Sequence, residues 1–317
     1  MVPLAQMKKK RLTPLRVIRG VYNRLRVYGQ GIVSTPIKLW YANSAGLRNN
    51  FGEKRNLKRL QNDFLLQGEQ ISAQQSALLS AQLLQHDGYY TLPAYFDRET
   101  LLKLQQDVAQ KMENPELSIS SPNGATQFLL DPLKNVPALE MLLRDEICAI
   151  ITSYYKCAFR VESVRVWRNH HVPNIDTEKD DKFSNTFHHD NCPVMGLRVF
   201  VLLSDGVTRE TGALRFHDKT TSKNIIRRLG YFHREKLTKS MRQRLLNPST
   251  LSFFEGNLGD VCICNTQECL HAASVPKLGT YRDMLQFEIY PTAGPIQAAD
   301  VLLAKVPADK ALLAMRG

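Results

Sequence analysis

Apolar residues recur along this chain with two periods, and the change from one to the other falls near residue 158. Upstream the spacing is helical. From residue 68 a helix with Ile71, Leu78, Leu79 and Leu83 runs to an Asp87-Gly88 turn, and a short strand follows in YYTLPAYF. Asp97 then stands as the cap of a second helix carrying Leu101, Leu104 and Val108. A third helix is predicted from Pro137 to about Tyr154, with Leu139, Leu142, Leu143, Ile147, Ile150 and Ile151 turned inward. Downstream the period is two. FRVESVRVW, LRVFVLLSD, GALRFH, DVCICN and DMLQFEIYP are short β-rich runs separated by Gly, Asp, Asn or Pro, which suggests a sandwich or barrel and not a parallel sheet. Helical spacing returns once, in SKNIIRRLGYFHREKLTKSMRQRLL. The expected fold class is mainly β with helices (α+β), with supporting helices before the β core and a basic helical insertion at 219–247 within it.

The N-terminal segment has a different pattern. Between Pro14 and Tyr28, Leu15, Val17, Ile18, Val21, Tyr22, Leu25 and Tyr28 gather on one side of a helical wheel. Arg16, Arg19, Asn23, Arg24 and Arg26 take the other, with Val27 the misfit. Such a helix fits an anionic membrane surface, and it equally fits a surface helix packed on its own domain. Charge sharpens the division. Of a net +12 over 317 residues, residues 1–60 hold fourteen Lys/Arg against the single acid Glu53, leaving 28 bases and 29 acids for the rest. The chain is therefore divided into a basic amphipathic extension, 1–65, and a domain, 66–317. The run 219–244 adds nine bases against Glu235. Together the two basic elements suggest an anionic surface as partner, and a membrane-associated or phosphorylated substrate. No nucleic-acid-binding motif accompanies the basic tail, so nucleic acid is not an expected partner.

Other class signals are negative. No apolar run approaches the ~20 residues that cross a bilayer, and no secretory leader opens the sequence. Six cysteines (148, 157, 192, 262, 264 and 269) lack a small-scaffold pattern, which points to a reducing compartment. The spacing of Cys262, Cys264, Cys269 and His271 is unlike a zinc site, and strand packing is their expected role. The expected location is cytoplasmic, peripheral at a membrane. A mitochondrial presequence ranks lower because the segment is poor in serine.

The candidate chemistry starts in SNTFHHDNCP. Residues two apart on a strand share a face, so His188 and Asp190 form a pair and His189 points away. A His-x-Asp pair is two-thirds of the facial triad that holds non-haem Fe(II) with open positions. The third ligand must come from His86, His170, His171, His217, His233 or His271. His271 ends GDVCICNTQECLH, and Arg282 follows eleven residues later on the next predicted strand, where its planar fork suits a dicarboxylate.

These residues carry a resemblance. His188-x-Asp190, His271 and Arg282 match the pattern of Fe(II)/2-oxoglutarate dioxygenases. HDGYYTLPAYFDRETLLKLQQDV, FHHDN, LRVFVLLSDGVTRETGALRF and LGDVCICNTQECLHAAS resemble, in order, segments of the phytanoyl-CoA dioxygenase family over about residues 75–292. The resemblance implies a double-stranded β-helix (jelly roll, cupin-like). It implies Fe(II) held by His188, Asp190 and His271, and 2-oxoglutarate held by Arg282. Dioxygen would be the oxidant and ascorbate a supporting reductant, with hydroxylation of an unactivated C–H in a small-molecule, lipid or glycolipid substrate and release of succinate and CO2. Two rival readings stand beside it: a non-catalytic jelly-roll binding module at a membrane, and a metal-dependent oxygenase that does not use 2-oxoglutarate. The chain departs from the family at His217, in FHDKTTSK, which is not expected to be a ligand, and at Met284, where a small or hydroxyl residue is common. Phe187 is expected in the core and Trp167, Arg168 and Asn169 at the barrel mouth, while Arg198, which begins the strand after the ligands, fits a substrate-facing position and a strand surface equally.

Overall fold

The computed structural model describes residues 52–68, 74–173, 184–190, 195–229 and 246–306. The amphipathic stretch 15–28, Ile71, Cys192 and the basic residues 230–245 lie outside the described residues. The chain divides into two compact units, and all the described residues belong to the second, Asn50–Gly317.

Helices lead, as their spacing predicts, but their faces are not all those the apolar pattern suggests. Helix α1 (52–66) buries Phe64 completely, and its Gln61 Nε2 donates to the Tyr155 carbonyl at 2.7 Å. The boundary drawn at residue 65 thus falls inside a helix that packs on the domain. Helix α2 (Gln75–Asp87) turns Ala77, Ser80, Ala81 and Leu84 inward and leaves Leu78, Leu79 and Leu83 46, 55 and 49% exposed. It ends at Gly88, whose φ of 82° and distance to Cys269 both require glycine: a Cβ there would meet the Cys269 Sγ at 2.5 Å. Helix α3 (Arg98–Glu113) is capped as expected, the Asp97 carboxylate accepting from the Thr100 amide at 2.9 Å.

The helix expected from Pro137 to Tyr154 is two pieces. After the short α4 (Pro132–Asn135), residues Pro137–Leu142 form a 3-10 turn, and α5 begins at Asp145 and runs to Tyr155. Arg144 is extended, at φ −74° and ψ 166°, and Asp145 and Glu146 then occupy a new first turn. There carboxylates complement the exposed amides, so the acidic pair marks a start inside the apolar pattern.

The β core is two facing antiparallel sheets. The larger has the order β1-β8-β5-β10-β4-β3-β2, from β1 (Tyr89–Leu92), β2 (Ser118–Ser120), β3 (Thr126–Leu129), β4 (Ala158–His170), β5 (Leu197–Leu202), β8 (Val261–Cys264) and β10 (Tyr281–Thr292). The smaller has the order β7-β6-β9, from β6 (Leu214–His217), β7 (Leu251–Phe254) and β9 (His271–Ala273). Helix α6 (Lys219–Leu229) follows β6, and α7 (Ala299–Leu303) follows the last strand. This is a jelly-roll sandwich with helices on the outside of the large sheet.

Alternation on the central strands makes two cores. Val199, Val201, Val261, Ile263, Leu285, Phe287 and Ile289 face the helices and join one apolar cluster with Leu104, Ile147 and Ile151. Phe200, Leu202, Cys262, Cys264 and Met284 face the small sheet and meet Leu214, Phe216 and Phe254. Both faces are covered, so all six residues of β5 are buried. Cys262 and Cys264 are strand packing, as expected, and the cysteines at 148, 157, 262, 264 and 269 are free thiols.

Candidate metal centre

The run expected to carry His271 along a single strand changes sheets. It leaves the large sheet at Cys264, turns through Asn265–Leu270, and enters the small sheet with His271 as the first residue of β9. Segment 184–190 lies alongside. The His188 amide donates to the His271 carbonyl at 3.0 Å, His271 returns the bond at 3.1 Å, and the Ala273 amide reaches the Ser184 carbonyl at 2.9 Å. The Asp190 amide donates to the Thr266 carbonyl at 3.1 Å, which ties the third side chain to the turn before β9.

These bonds bring the three predicted ligands together. His188, Asp190 and His271 offer donor atoms that all lie within 4.8 Å of one another, the one such convergent group of His, Cys, Asp and Glu among the described residues. Asp190 Oδ1 is 3.7 Å from His188 Nε2 and 3.4 Å from His271 Nε2. Ligands at ~2.1 Å in right-angled positions stand about 3 Å apart, so this triangle is close to what one ion would draw in. The tautomers fit too. His188 Nδ1 donates to the Thr186 carbonyl at 2.8 Å and His271 Nδ1 to the Cys269 carbonyl at 3.1 Å. A carbonyl only accepts, so each Nδ1 carries its proton and each Nε2 lone pair is left for a metal.

The electrostatics agree with a cation site. Burial works to raise the Asp190 carboxyl, but His271, His188 and Arg198 around it hold it well below the ordinary carboxylate range. Burial works to lower His188, and Asp190 and the Thr186 carbonyl outweigh it, so its net shift is upward. His189 points elsewhere and is buried. Its pKa falls to about 3, first through burial and then through the field of His271, so it is a neutral packed residue. Phe187 is core, and His217 bonds the Thr250 carbonyl at 3.1 Å outside the triad.

The triad opens into a cavity of about 510 Å³ between the sheets, and Arg282 lies on its wall. Arg282 is the second residue of the long strand β10, opposite Asn169 of β4. Its guanidinium donates to the Gly212 carbonyl and to Asn169 Oδ1, which also accepts from Trp167 Nε1 at 3.0 Å. The Nε of this fully buried arginine has no hydrogen-bond partner, and burial pushes its pKa down to about 10. The adjacent Asp283 is on the opposite face of the strand, bound by Arg168 through two contacts of 2.7 Å. A buried cation with an unsatisfied donor at a cavity wall is suited to an anionic ligand.

Trp167 and Asn169 line the cavity as expected for a barrel mouth, while Arg168 lies on the other face. For Arg198, whose side was left open, the structure decides for the cavity. The side chain is buried, lines the cavity, and joins Asp190 to Glu288. Its signal was in the sequence: in LRVFVLL it shares phase with Phe200 and Leu202, the inward positions. Thr266, which bonds the Asp190 carboxylate at 2.6 Å, carried no signal because it lies in a turn.

No family model matches this sequence, and no curated protein matches it. Solved structures do resemble it in fold. The epimerase SnoN from nogalamycin biosynthesis, in complex with Fe3+, alpha ketoglutarate and nogalamycin RO, aligns with a TM-score of 0.50 at 15% identity, over 73% of this chain and 90% of its own. EctD from S. alaskensis with 2-oxoglutarate and 5-hydroxyectoine gives 0.49 at 13% identity, over 76% and 90%. HygX from Streptomyces hygroscopicus with nickel, 2-oxoglutarate and hygromycin B gives 0.48 at 15%, over 69% and 89%. At these identities the likeness concerns architecture, and this chain has the jelly-roll fold of SnoN.

Proposed function

We propose that the protein is an Fe(II)/2-oxoglutarate-dependent oxygenase that hydroxylates an unactivated C–H bond. The observation that carries this reading is the pairing, in one cavity, of a His-Asp-His triad whose two Nδ1 atoms are tied to carbonyls, so that both Nε2 atoms face Asp190, and a buried arginine whose Nε is unsatisfied. His188, Asp190 and His271 would hold the iron, which supplies activation of dioxygen coupled to decarboxylation of 2-oxoglutarate to succinate and CO2. Arg282 would bind the far carboxylate of 2-oxoglutarate, held in place by Gly212 and Asn169. Phe200, Leu214 and Met284 give the cavity a buried apolar part of its wall, beside the polar side chains of Asn169, Arg198 and Gln286. Membership of the phytanoyl-CoA dioxygenase family belongs to the same proposal, supported by four sequence segments in the family's order.

Succinate formation from 2-oxoglutarate by the purified chain with Fe(II), ascorbate and oxygen tests the reaction. Turnover lost in His188→Ala and Asp190→Ala supports it. Metal binding with no turnover and no 2-oxoglutarate binding would favour a non-catalytic module, and turnover unchanged in Arg282→Ala would favour an oxygenase without this co-substrate.

We also propose an anionic membrane surface as the place where substrate is met, consistent with a cytoplasmic, peripheral protein. Besides the two basic runs, the support is the exposed row Leu78, Leu79 and Leu83 on α2. The basic helix α6 packs beside it, its Lys219 Nζ 3.4 Å from the Gln85 carbonyl and paired with Glu268 at 2.7 Å, and its Lys223 exposed. Apolar side chains next to cations are the composition of an interfacial helix face. No helix among the described residues is long and apolar enough to cross a membrane. Sedimentation of the full chain with phosphatidylserine vesicles, lost in Leu79→Ser/Leu83→Ser, supports this reading. Sedimentation unchanged by the double substitution, or absent in the parent chain, sinks it.

A further inference from the structure

Asp190 has two oxygens, and the structure treats them differently. Oδ1 faces the two imidazoles, at 3.4 and 3.7 Å from their Nε2 atoms. Oδ2 accepts a hydrogen bond from Thr266 Oγ1 at 2.6 Å and lies 3.5 Å from Arg198 Nε. Arg198 is itself anchored: its Nη1 is 2.6 Å from Glu288 Oε1, and Glu288 accepts from Tyr290 Oη at 2.7 Å and Ser163 Oγ at 2.8 Å. Arg198, Glu288 and Ser163 stand side by side on three neighbouring strands, with Arg198 opposite Glu288 and Glu288 opposite Ser163. Asp190, by contrast, lies outside any strand, two residues past the bridge between His188 and His271.

We propose that Arg198 is a positioning residue that indexes Asp190 to the large sheet and keeps its carboxylate monodentate through Oδ1. The coordination count shows why this matters. A carboxylate bound through both oxygens, with two histidines, fills four of six octahedral positions and leaves two. A chelating 2-oxo acid and dioxygen together need three. Engaging Oδ2 from behind leaves one oxygen for the metal and three open positions. Arginine suits the task because its separate N–H groups face Asp190 and Glu288 at once, whereas a lysine is a single point charge. This inference rests on the proposed metal and co-substrate reading.

Two titrations of the full chain test it: Mn(II) binding without co-substrate, and 2-oxoglutarate binding to the anaerobic Fe(II) form, read by its visible charge-transfer absorption. Arg198→Gln is expected to weaken Mn(II) about tenfold, the low end for loss of a group behind a ligand, and to weaken 2-oxoglutarate chelation further. Arg198→Lys should fall between. Because Arg198→Gln leaves Glu288 without its cation, Arg198→Met/Glu288→Met, which removes both charges of the pair, guards against misfolding and should show the same Mn(II) defect with an unaltered metal-free melting temperature. Parent-like Mn(II) affinity and parent-like absorption in all three variants overturn the proposal, as does a defect that tracks the melting temperature alone. If the parent binds Mn(II) but shows no absorption with 2-oxoglutarate, the co-substrate reading fails, and the Mn(II) series still decides for or against Arg198.

Discussion

The two faces of strand β10 make different uses of the same backbone. Leu285, Phe287 and Ile289 point outward, are fully buried, and pack against the helices in a purely apolar layer. Arg282, Gln286 and Glu288 alternate with them and point into the cavity, where the neighbouring strands add Asn169 and Arg198. One face contributes stability through area removed from water, and the other carries polar groups whose burial costs free energy unless each is partnered. The difference teaches where to look for chemistry in such a strand: not at its exposure, which is low on both faces, but at its phase.

Substitutions can separate the faces. The largest expected effect is on the inner side. His271→Ala should abolish succinate formation and metal binding while leaving the metal-free melting temperature nearly unchanged, since the ring is a proposed ligand and belongs to none of the apolar clusters; a fall of the metal-free melting temperature as large as that of a core truncation would contradict this. On the outer side Phe287→Ala should cost about 3–5 kcal/mol of stability by loss of burial and a residual cavity, seen as a large shift in urea midpoint. Any activity lost should return at low temperature, where the fold is populated.

An acid titration gives a smaller effect. Burial works to raise the Glu288 carboxyl, but Arg198, Tyr290 and Ser163 bring it below its ordinary value. A depressed folded pKa contributes stability that is present above the unfolded value of about 4.3 and is lost as pH falls through the folded value. Glu288→Gln should therefore flatten the decline of melting temperature below about pH 4.3, and an unchanged acid limb would break the claim. The smallest effect belongs to the outermost layer. Leu79→Ser, on the exposed row of α2, should move stability by no more than about 0.5 kcal/mol, and a larger loss would mean that this face is covered.

Much of this was readable from residues alone, for reasons the strands make plain. Period-two spacing identified the β core, and His188, Asp190, His271 and Arg282 were singled out by spacing, by the donor types of a facial triad and by family resemblance. The misses have local causes. Leu142 and Leu143 continue an apolar pattern across a helix break that only Asp145 and Glu146 betray. In α2 the small residues face inward, so the leucines of its pattern mark the wrong side. Arg198 stayed open between surface and site, because its partners Asp190 and Glu288 are 8 and 90 residues away in sequence. Pairing of that kind follows from sheet order, which hydrophobic period does not encode.

The central claim is that one ion and one dicarboxylate share this cavity. Anomalous diffraction at the iron edge, from crystals of the full chain loaded anaerobically with Fe(II) and 2-oxoglutarate, tests it most directly. The account predicts a single iron peak about 2.0–2.2 Å from His188 Nε2, Asp190 Oδ1 and His271 Nε2, with a carboxylate on the Arg282 guanidinium. An iron bound elsewhere, or an Arg282 that stays without an anion beside an occupied triad, would contradict it.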